Sequence, residues 1–162
     1  MCSWNLAGVN PDDFHLLLKQ LSDNYDWDIL LMQEAFSSSD GIELESNHVL
    51  FVGDKGQGGQ RRPAVLVHER WRSHGLRRLA SGERWIAVDV GNSFTALSVH
   101  LPHSGYNFDE FAACFGEVDV LAASLATKIY MGIDANTQVG GAVDFVHVGE
   151  TVMAATSEFE NG

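Results

Sequence analysis

The sequence predicts an α/β protein in which two β-sheets pack face to face with helices on the outside. Two apolar runs without alternation, 29–32 and 129–131, are typical of strands buried on both faces. Several shorter apolar segments between them read as antiparallel strands. Helical segments over 10–24 and 106–126 complete a mixture that suits a layered sandwich.

The first part of the chain predicts a helix followed by a buried strand. Asn10 is a candidate N-cap, and Pro11 suits the first helical position. Apolar residues then recur at helical spacing, at Phe14, Leu17, Leu18 and Leu21. The strand over 28–33 follows at once and stops on Gln33 and Glu34.

The middle of the chain predicts a series of antiparallel strands. Their expected ranges are 48–53, 63–68, 84–91 and 94–100. Gly91 and Asn92 form a tight turn between the last two. The segment 37–41 reads as a loop. The glycine-rich stretch 54–62 reads as a mobile loop and not a phosphate cradle, because no GK[ST] follows it.

The last third predicts a helix, a buried strand and a tail. The helix over 106–126 has one expected apolar face, formed by Phe108, Phe111, Ala112, Phe115, Val118, Ala122 and Leu125. A strand over 128–133 follows, and the weakly periodic segment 137–162 reads as a loop-rich tail. The length of 162 residues predicts one domain over 1–162.

Composition and charge restrict the class of protein. Hydrophobic residues make up 45% of the chain, which argues against disorder. The net charge of −12 argues against a general nucleic-acid surface, because phosphate binding rests on Lys and Arg. All seven arginines nevertheless lie between Arg61 and Arg84, a segment with only two acids. This arginine band either faces a polyanion, with Arg61 and Arg62 as candidate phosphate-binding residues, or is the solvated flank of a hairpin.

Targeting signals are not evident in the sequence. The first residues have neither a basic start nor an apolar core, and no apolar stretch approaches the length of a membrane helix. Cys2 and Cys114 are too few for a disulfide framework and read as incidental thiols. We therefore expect an intracellular protein, cytoplasmic or nuclear, with no membrane partner.

Acidic and amide side chains follow the two buried strands. Glu34 ends the first, and Asp134 ends the second, with Asn136 two residues further on. Carboxylates are hard oxygen ligands of the kind that hold Mg²⁺ or Mn²⁺. Asn5 is another polar residue near a strand end. Each of these residues alone is more often a turn or cap residue, but their combination predicts a metal site.

Two histidines flank Pro102 after another predicted strand. His100 closes that strand and is able to face the same site, and His103 follows in the loop. Histidine donates to phosphate oxygens or carries a proton, although a structural role is equally open for either residue.

Four segments carry a resemblance to a known family. The stretches SWNLAG, DILLMQEAF, VHLPHSG and GIDANTQVG resemble, in order, the motifs of the endonuclease/exonuclease/phosphatase superfamily. The spacing most resembles the endonuclease domains of LINE-type retrotransposons, and the resemblance covers residues 3 to about 141. It implies a deoxyribonuclease-like sandwich and metal-assisted hydrolysis of a phosphodiester or phosphomonoester.

The resemblance also implies roles for individual residues. It assigns Asn5 and Glu34 to the metal and phosphate site. His100 matches a position that is usually Tyr or His. Asp134 and Asn136 match the pair that positions the attacking water and the scissile phosphate. In the family this pair reads GDxN, whereas here Ile133 stands between the glycine and the acid.

The family's later motifs, including a closing Ser-Asp-His, do not occur after Asp134. Only three residues precede Trp4, where the family has an apolar strand. We therefore expect a partial domain, truncated at both ends, that alone is weak or inactive. Its missing partners are then the remainder of the domain or a reverse transcriptase in a longer polypeptide.

The leading hypothesis for function is the N-terminal part of a Mg²⁺-dependent endonuclease that cuts DNA. One alternative is a non-catalytic relic or binding fragment. Another is a phosphoesterase of the same fold that acts on phosphoinositides or sphingolipids.

Overall fold

A computed structural model of the chain describes residues 1–6, 9–36, 42–43, 47–55, 61–102 and 108–134. The predicted loop over 37–41 and the predicted tail over 137–162 lie outside this part, as do His103 and Asn136. Among the described residues, no helix is both long and apolar enough to cross a membrane.

Nine strands in the described part form two mixed sheets, which confirms the predicted sandwich. The first sheet has the order β1-β2-β5-β4-β3. Its strands are β1 (Cys2–Asn5), β2 (Ile29–Phe36), β3 (Ile42–Glu43), β4 (Val49–Val52) and β5 (Arg61–Val67). The second sheet has the order β6-β7-β8-β9. Its strands are β6 (Leu76–Ser81), β7 (Trp85–Val90), β8 (Phe94–His100) and β9 (Lys128–Asp134).

The sheets face each other across a core of aliphatic side chains that alternate along the strands. Its buried members are Ile29, Leu31, Val65, Val67, Ile86, Val88, Val90 and Ala96. On β2, the intervening residues Leu30 and Met32 point to the opposite side and pack beneath a helix. This is why the sequence of β2 is apolar without alternation.

One helix covers the outer face of each sheet. Helix α1 (Pro11–Asn24) begins as predicted, and the Asn10 side chain accepts a hydrogen bond from the Asp13 N–H at 2.9 Å. Its four predicted apolar residues pack on the first sheet. Helix α2 (Phe108–Ser124) covers the second sheet.

The prediction of which residues form the apolar face of α2 was partly wrong. Cys114 and Val118 are buried against the second sheet, and Phe111 packs beside them. Phe108 and Phe115 are exposed instead. This helix is apolar on much of its circumference, so periodicity alone did not select the side that meets the sheet.

Three further differences concern the strands. The strand over 129–131 is not buried on both faces as predicted, because β9 lies at the edge of the second sheet and leaves Tyr130 and Met131 exposed. Strand β2 does not stop at Gln33 but runs to Phe36, with a shift in its pairing to β5 between Met32 and Ala35. Strand β6 and the 3₁₀ helix Glu69–His74 were not predicted. Three of the six residues of β6 are arginine or serine, so its sequence lacks a clear apolar pattern.

The strand directions bring four strand ends to one edge of the sandwich. Strand β1 is parallel to β2, and β8 is parallel to β9. Strand β2 packs on both β8 and β9, and β1 packs on β9. Asn5, Glu34, His100 and Asp134 all lie at or near the carboxyl ends of these strands. An edge where carboxyl ends meet is a common location for ligand sites in α/β proteins.

His48 is buried between the first sheet and the 3₁₀ helix. Its Nδ1 accepts a hydrogen bond from the Glu69 N–H at 3.1 Å, and its ring lies 4.5 Å from the ring of His68 and 4.8 Å from that of Trp27. Burial, and secondarily the neighbouring His68, lower the pKa of His48 from its ordinary value of 6.5, although the Glu69 carboxylate opposes this. Protonation at Nδ1 would break the bond to Glu69.

This arrangement predicts a loss of stability in mild acid. His48 becomes protonated at its ordinary pKa in the unfolded chain but only at a lower pH in the native chain. The stabilisation that arises from this difference is complete above pH 6.5 and is lost as the pH falls below it. Urea unfolding between about pH 7.5 and about pH 5 should show a shallower pH dependence for His48→Gln than for the wild type. The control is His74→Gln at an exposed position. Equal pH dependence in the two variants would exclude His48 as the origin.

Candidate active site

Glu34 reaches the site because β2 is distorted at this point. Its φ angle is 56°, a left-handed value that is uncommon for a residue other than glycine. The pairing of β2 with β5 shifts between Met32 and Ala35, which is the same distortion seen in the backbone of Glu34. As a result, Gln33 and Glu34 both contact β8 of the other sheet, although consecutive residues of a regular strand point to opposite faces. A left-handed residue inside a strand costs free energy, and such strained residues are often found at functional sites. The coincidence of this one with a cluster of charged groups therefore supports a functional role for the cluster.

His100 and Asp134 are neighbours because their strands end together. They are paired in the parallel register of β8 and β9, so their side chains share the face that looks toward the first sheet. Gly132 lies on that face too, where an added Cβ would fall 2.5 Å from Ser3 Oγ and 2.9 Å from Leu31 Cβ. The absence of a side chain at this position therefore allows β9 to approach the first sheet closely.

The unusual order of residues in GIDAN has a geometric consequence. Ile133 points outward and is 43% exposed, whereas Gly132 and Asp134 both point inward. The glycine and the acid share a face because they are two residues apart in an extended strand. The inserted isoleucine thus leaves the carboxylate of Asp134 in the cluster.

The candidate site consists of Glu34, His100 and Asp134, with Asn5 and Arg61 beside them. One donor atom from each of the first three residues lies within 4.8 Å of the other two. His100 Nε2 is 3.6 Å from Glu34 Oε1 and 4.0 Å from Asp134 Oδ2. The Asn5 side-chain amide donates a hydrogen bond to Asp134 Oδ2. These contacts connect the two sheets at the edge of the sandwich.

This donor set fits a divalent cation. The two carboxylates are hard oxygen ligands of the kind that Mg²⁺ and Mn²⁺ prefer, and the separations within the group suit ligands around one ion. Their side chains are 16%, 17% and 20% exposed, so the cluster opens to solvent on one side. Mg²⁺ typically keeps several water ligands and also takes substrate phosphate, which requires such an opening.

Arg61 lies in the site, and Arg62 does not. Arg61 Nη1 is 2.6 Å from Glu34 Oε2, and most of its side chain remains exposed. Arg62 is only 8% exposed and donates through Nη1 to the Gly53 carbonyl at 3.1 Å. Adjacent strand residues point to opposite faces, so only one of the two can face the site. Arg62 therefore lies apart from the cluster, and its predicted contact with phosphate stays a prediction.

The arginine band is not one surface. Its members lie on β5, on the 3₁₀ helix, on β6 and just before β7. Arg70 pairs with Asp26 and Asp28, and Arg78 pairs with Asp54. Arg77 pairs with Asp89 at the end of the second sheet away from His100. Neither of the two predicted alternatives describes all seven arginines, because Arg77 and Arg78 flank the hairpin of β6 and β7, whereas Arg61 lies on β5 beside Glu34.

Sequence reasoning missed Gln33, which is buried directly below the cluster. A signal was present, because a glutamine that follows four apolar residues in a buried strand needs a hydrogen-bond partner. Asn136 and His103 lie outside the described residues, so their predicted roles stay predictions.

Comparisons with known proteins support the fold. No protein-family model matches the chain, and no curated protein matches it. The structure is similar to the endonuclease domain of TRAS1, a telomere-specific non-LTR retrotransposon, with a TM-score of 0.59 and 14% identity over 84% of this chain. It is also similar to TDP2 from C. elegans, with a TM-score of 0.51 and 17% identity over 88% of this chain.

Both neighbours have the endonuclease/exonuclease/phosphatase-like fold, and the two-sheet sandwich described here is consistent with it. The chain spans 58% of the first neighbour's length and 50% of the second's. At these identities the similarity concerns the fold alone.

Proposed function

We propose that the chain forms the metal-binding part of a Mg²⁺- or Mn²⁺-dependent phosphodiesterase whose substrate is DNA. The observation that carries the proposal is the convergence of Glu34, His100 and Asp134 within 4.8 Å of one another at four adjacent strand ends. The similarity to a retrotransposon endonuclease domain supports the choice of a nuclease. The ordered sequence motifs give independent support from the residues themselves.

Each residue has a proposed task in this reaction. Glu34 holds the cation, which when bound neutralises phosphate charge and stabilises the leaving oxygen. Asp134 aligns the attacking water and accepts its proton, and the Asn5 amide fixes the orientation of that carboxylate. His100 stabilises developing charge on the phosphate. Asn136 and His103 are proposed to contact the phosphate on the strength of the sequence motifs.

Arg61 is proposed to exchange its partner when substrate binds. In the structure it neutralises Glu34, which a cation would do instead in the loaded site. An exposed ion pair of this kind is worth at most about 1 kcal/mol, so its rearrangement is easily offset. The released guanidinium is then able to donate two hydrogen bonds to a phosphate.

The experiment that tests the function is nicking of supercoiled plasmid with Mg²⁺ or Mn²⁺ and with EDTA as a control. We expect slow, EDTA-sensitive nicking, because the 162 residues contain no Ser-Asp-His to complete the family's site. Metal binding without nicking would favour a binding fragment. Hydrolysis of a phosphoinositide or of sphingomyelin, with DNA left intact, would favour the lipid-headgroup alternative.

A paired substitution tests whether DNA meets the site through Arg61. For Arg61→Gln, the plot of log affinity for a short DNA duplex against log salt should lose about one unit of slope. Arg77→Gln removes the same charge at the distant end of the second sheet and should leave the slope unchanged. Equal slopes for the two variants would remove Arg61 from the DNA-binding surface.

A further inference from the structure

We infer that Gln33 is a positioning residue that aligns the four strand ends carrying the site. The inference rests on the proposed function, since it concerns the geometry of the same cluster. Gln33 is only 1% exposed and occupies the space between the two sheets, immediately below Glu34. Its side chain bonds to β1, β8 and β9, so its effect on the site is exerted through these strands.

The Gln33 side chain joins all four strands of the site. Its Nε2 donates toward Ser98 Oγ and Ser3 Oγ, each at 3.2 Å, and toward the Gly132 carbonyl at 3.3 Å. Two N–H groups therefore share three acceptors, which lie on β8, β1 and β9. Ser98 Oγ in turn donates to the Met32 carbonyl of β2 at 2.7 Å. The result is a buried polar layer that spans both sheets.

On β1, β8 and β9, this layer lies two residues before the residue that belongs to the site. Ser3, Ser98 and Gly132 each precede a site residue by two positions, namely Asn5, His100 and Asp134. Residues two apart in a strand point to the same face and are about 7 Å apart along it. Moving any of these strands by one residue would break its bond to Gln33 and turn its site residue away.

The amide group of Gln33 suits this position better than other side chains of its size. It supplies donors to three acceptors, whereas a carboxylate would supply none and would bury a negative charge. A methionine would fill the same volume but leave the Gly132 carbonyl and the Ser3 hydroxyl without this partner. Gln33 also fixes β1 through its backbone, because its carbonyl accepts the Leu6 N–H at 2.9 Å.

The test compares Gln33→Met with Val67→Ala, a substitution of a fully buried residue at the opposite end of the same core. Two quantities are measured well below the unfolding temperature of each variant. One is the affinity for Mn²⁺ by isothermal titration. The other is hydrogen exchange of the Leu6 and Leu101 amides, which bond to the carbonyls of Gln33 and Asp134.

Gln33→Met should weaken Mn²⁺ binding about tenfold or more, which is the usual effect of substituting a residue that supports a metal site. It should also raise hydrogen exchange at the Leu6 and Leu101 amides relative to the rest of the sheets. Val67→Ala should lower overall stability without either local effect. If Gln33→Met does not fold, Ser98→Ala removes one partner of the layer and should show smaller changes in the same direction.

Equal Mn²⁺ affinity and equal local exchange in the Gln33 or Ser98 variant and in Val67→Ala would overturn the inference. The two proposals fail separately. A wild-type chain that binds no Mn²⁺ would overturn the proposed function, while faster exchange confined to the Gln33 variant's strand ends would still support the positioning role.

Discussion

Asp134→Asn should reduce EDTA-sensitive nicking on the order of 10²-fold or more, the usual contribution of a group that accepts a proton in the transition state. The substitution keeps the shape of the side chain and an oxygen able to accept from the Asn5 amide. It removes the negative charge next to His100 and the basicity needed to activate water. The expected effect therefore falls on the chemical step and not on folding.

The control for this prediction is Asp119→Asn, the same change at an exposed position of α2 on the outside of the second sheet. Nicking rates are measured for both variants at equal protein concentration, and unfolding curves establish that each is folded. Nicking that persists in Asp134→Asn and disappears with EDTA would place the catalytic carboxylate elsewhere.

Glu34→Gln should weaken Mg²⁺ or Mn²⁺ binding about tenfold or more, because an amide oxygen replaces a charged ligand of the ion. Glu34 is close to His100 and Asp134, and its distorted backbone aims it at them. In the proposed loaded site the cation has already replaced Arg61 as the partner of Glu34 in the wild type, so the expected loss of affinity comes from the changed ligand.

Isothermal titration of the wild type and of Glu34→Gln measures this change. Glu117→Gln is the matched control, since Glu117 lies on α2, on the outside of the second sheet. Its carboxylate accepts a hydrogen bond from Trp85 Nε1, which an amide oxygen can also accept. Identical affinity in Glu34→Gln and Glu117→Gln would exclude Glu34 as a ligand.

The sequence alone determined the class of fold and most of its elements. The cap at Asn10 and the spacing of the apolar residues predicted α1, and the strand over 94–100 was predicted with its observed bounds. These features are local, because capping and burial periodicity are set by residues within a few positions of one another. Glu34 within β2 and Asp134 at the end of β9 were visible for the same reason: a charge interrupts an apolar run.

Only the tertiary structure decided which of these polar residues meet. Asn5 and Asp134 are 129 positions apart, and Gln33 and Ser98 are 65 apart, so no local pattern connects them. The distortion at Glu34 aimed its carboxylate at His100, and the alternation of β5 separated Arg61, which pairs with Glu34, from Arg62, which is buried away from the site. Such contacts depend on how two sheets pack and on where one strand is irregular, and these are properties of the whole chain that no local stretch of sequence specifies.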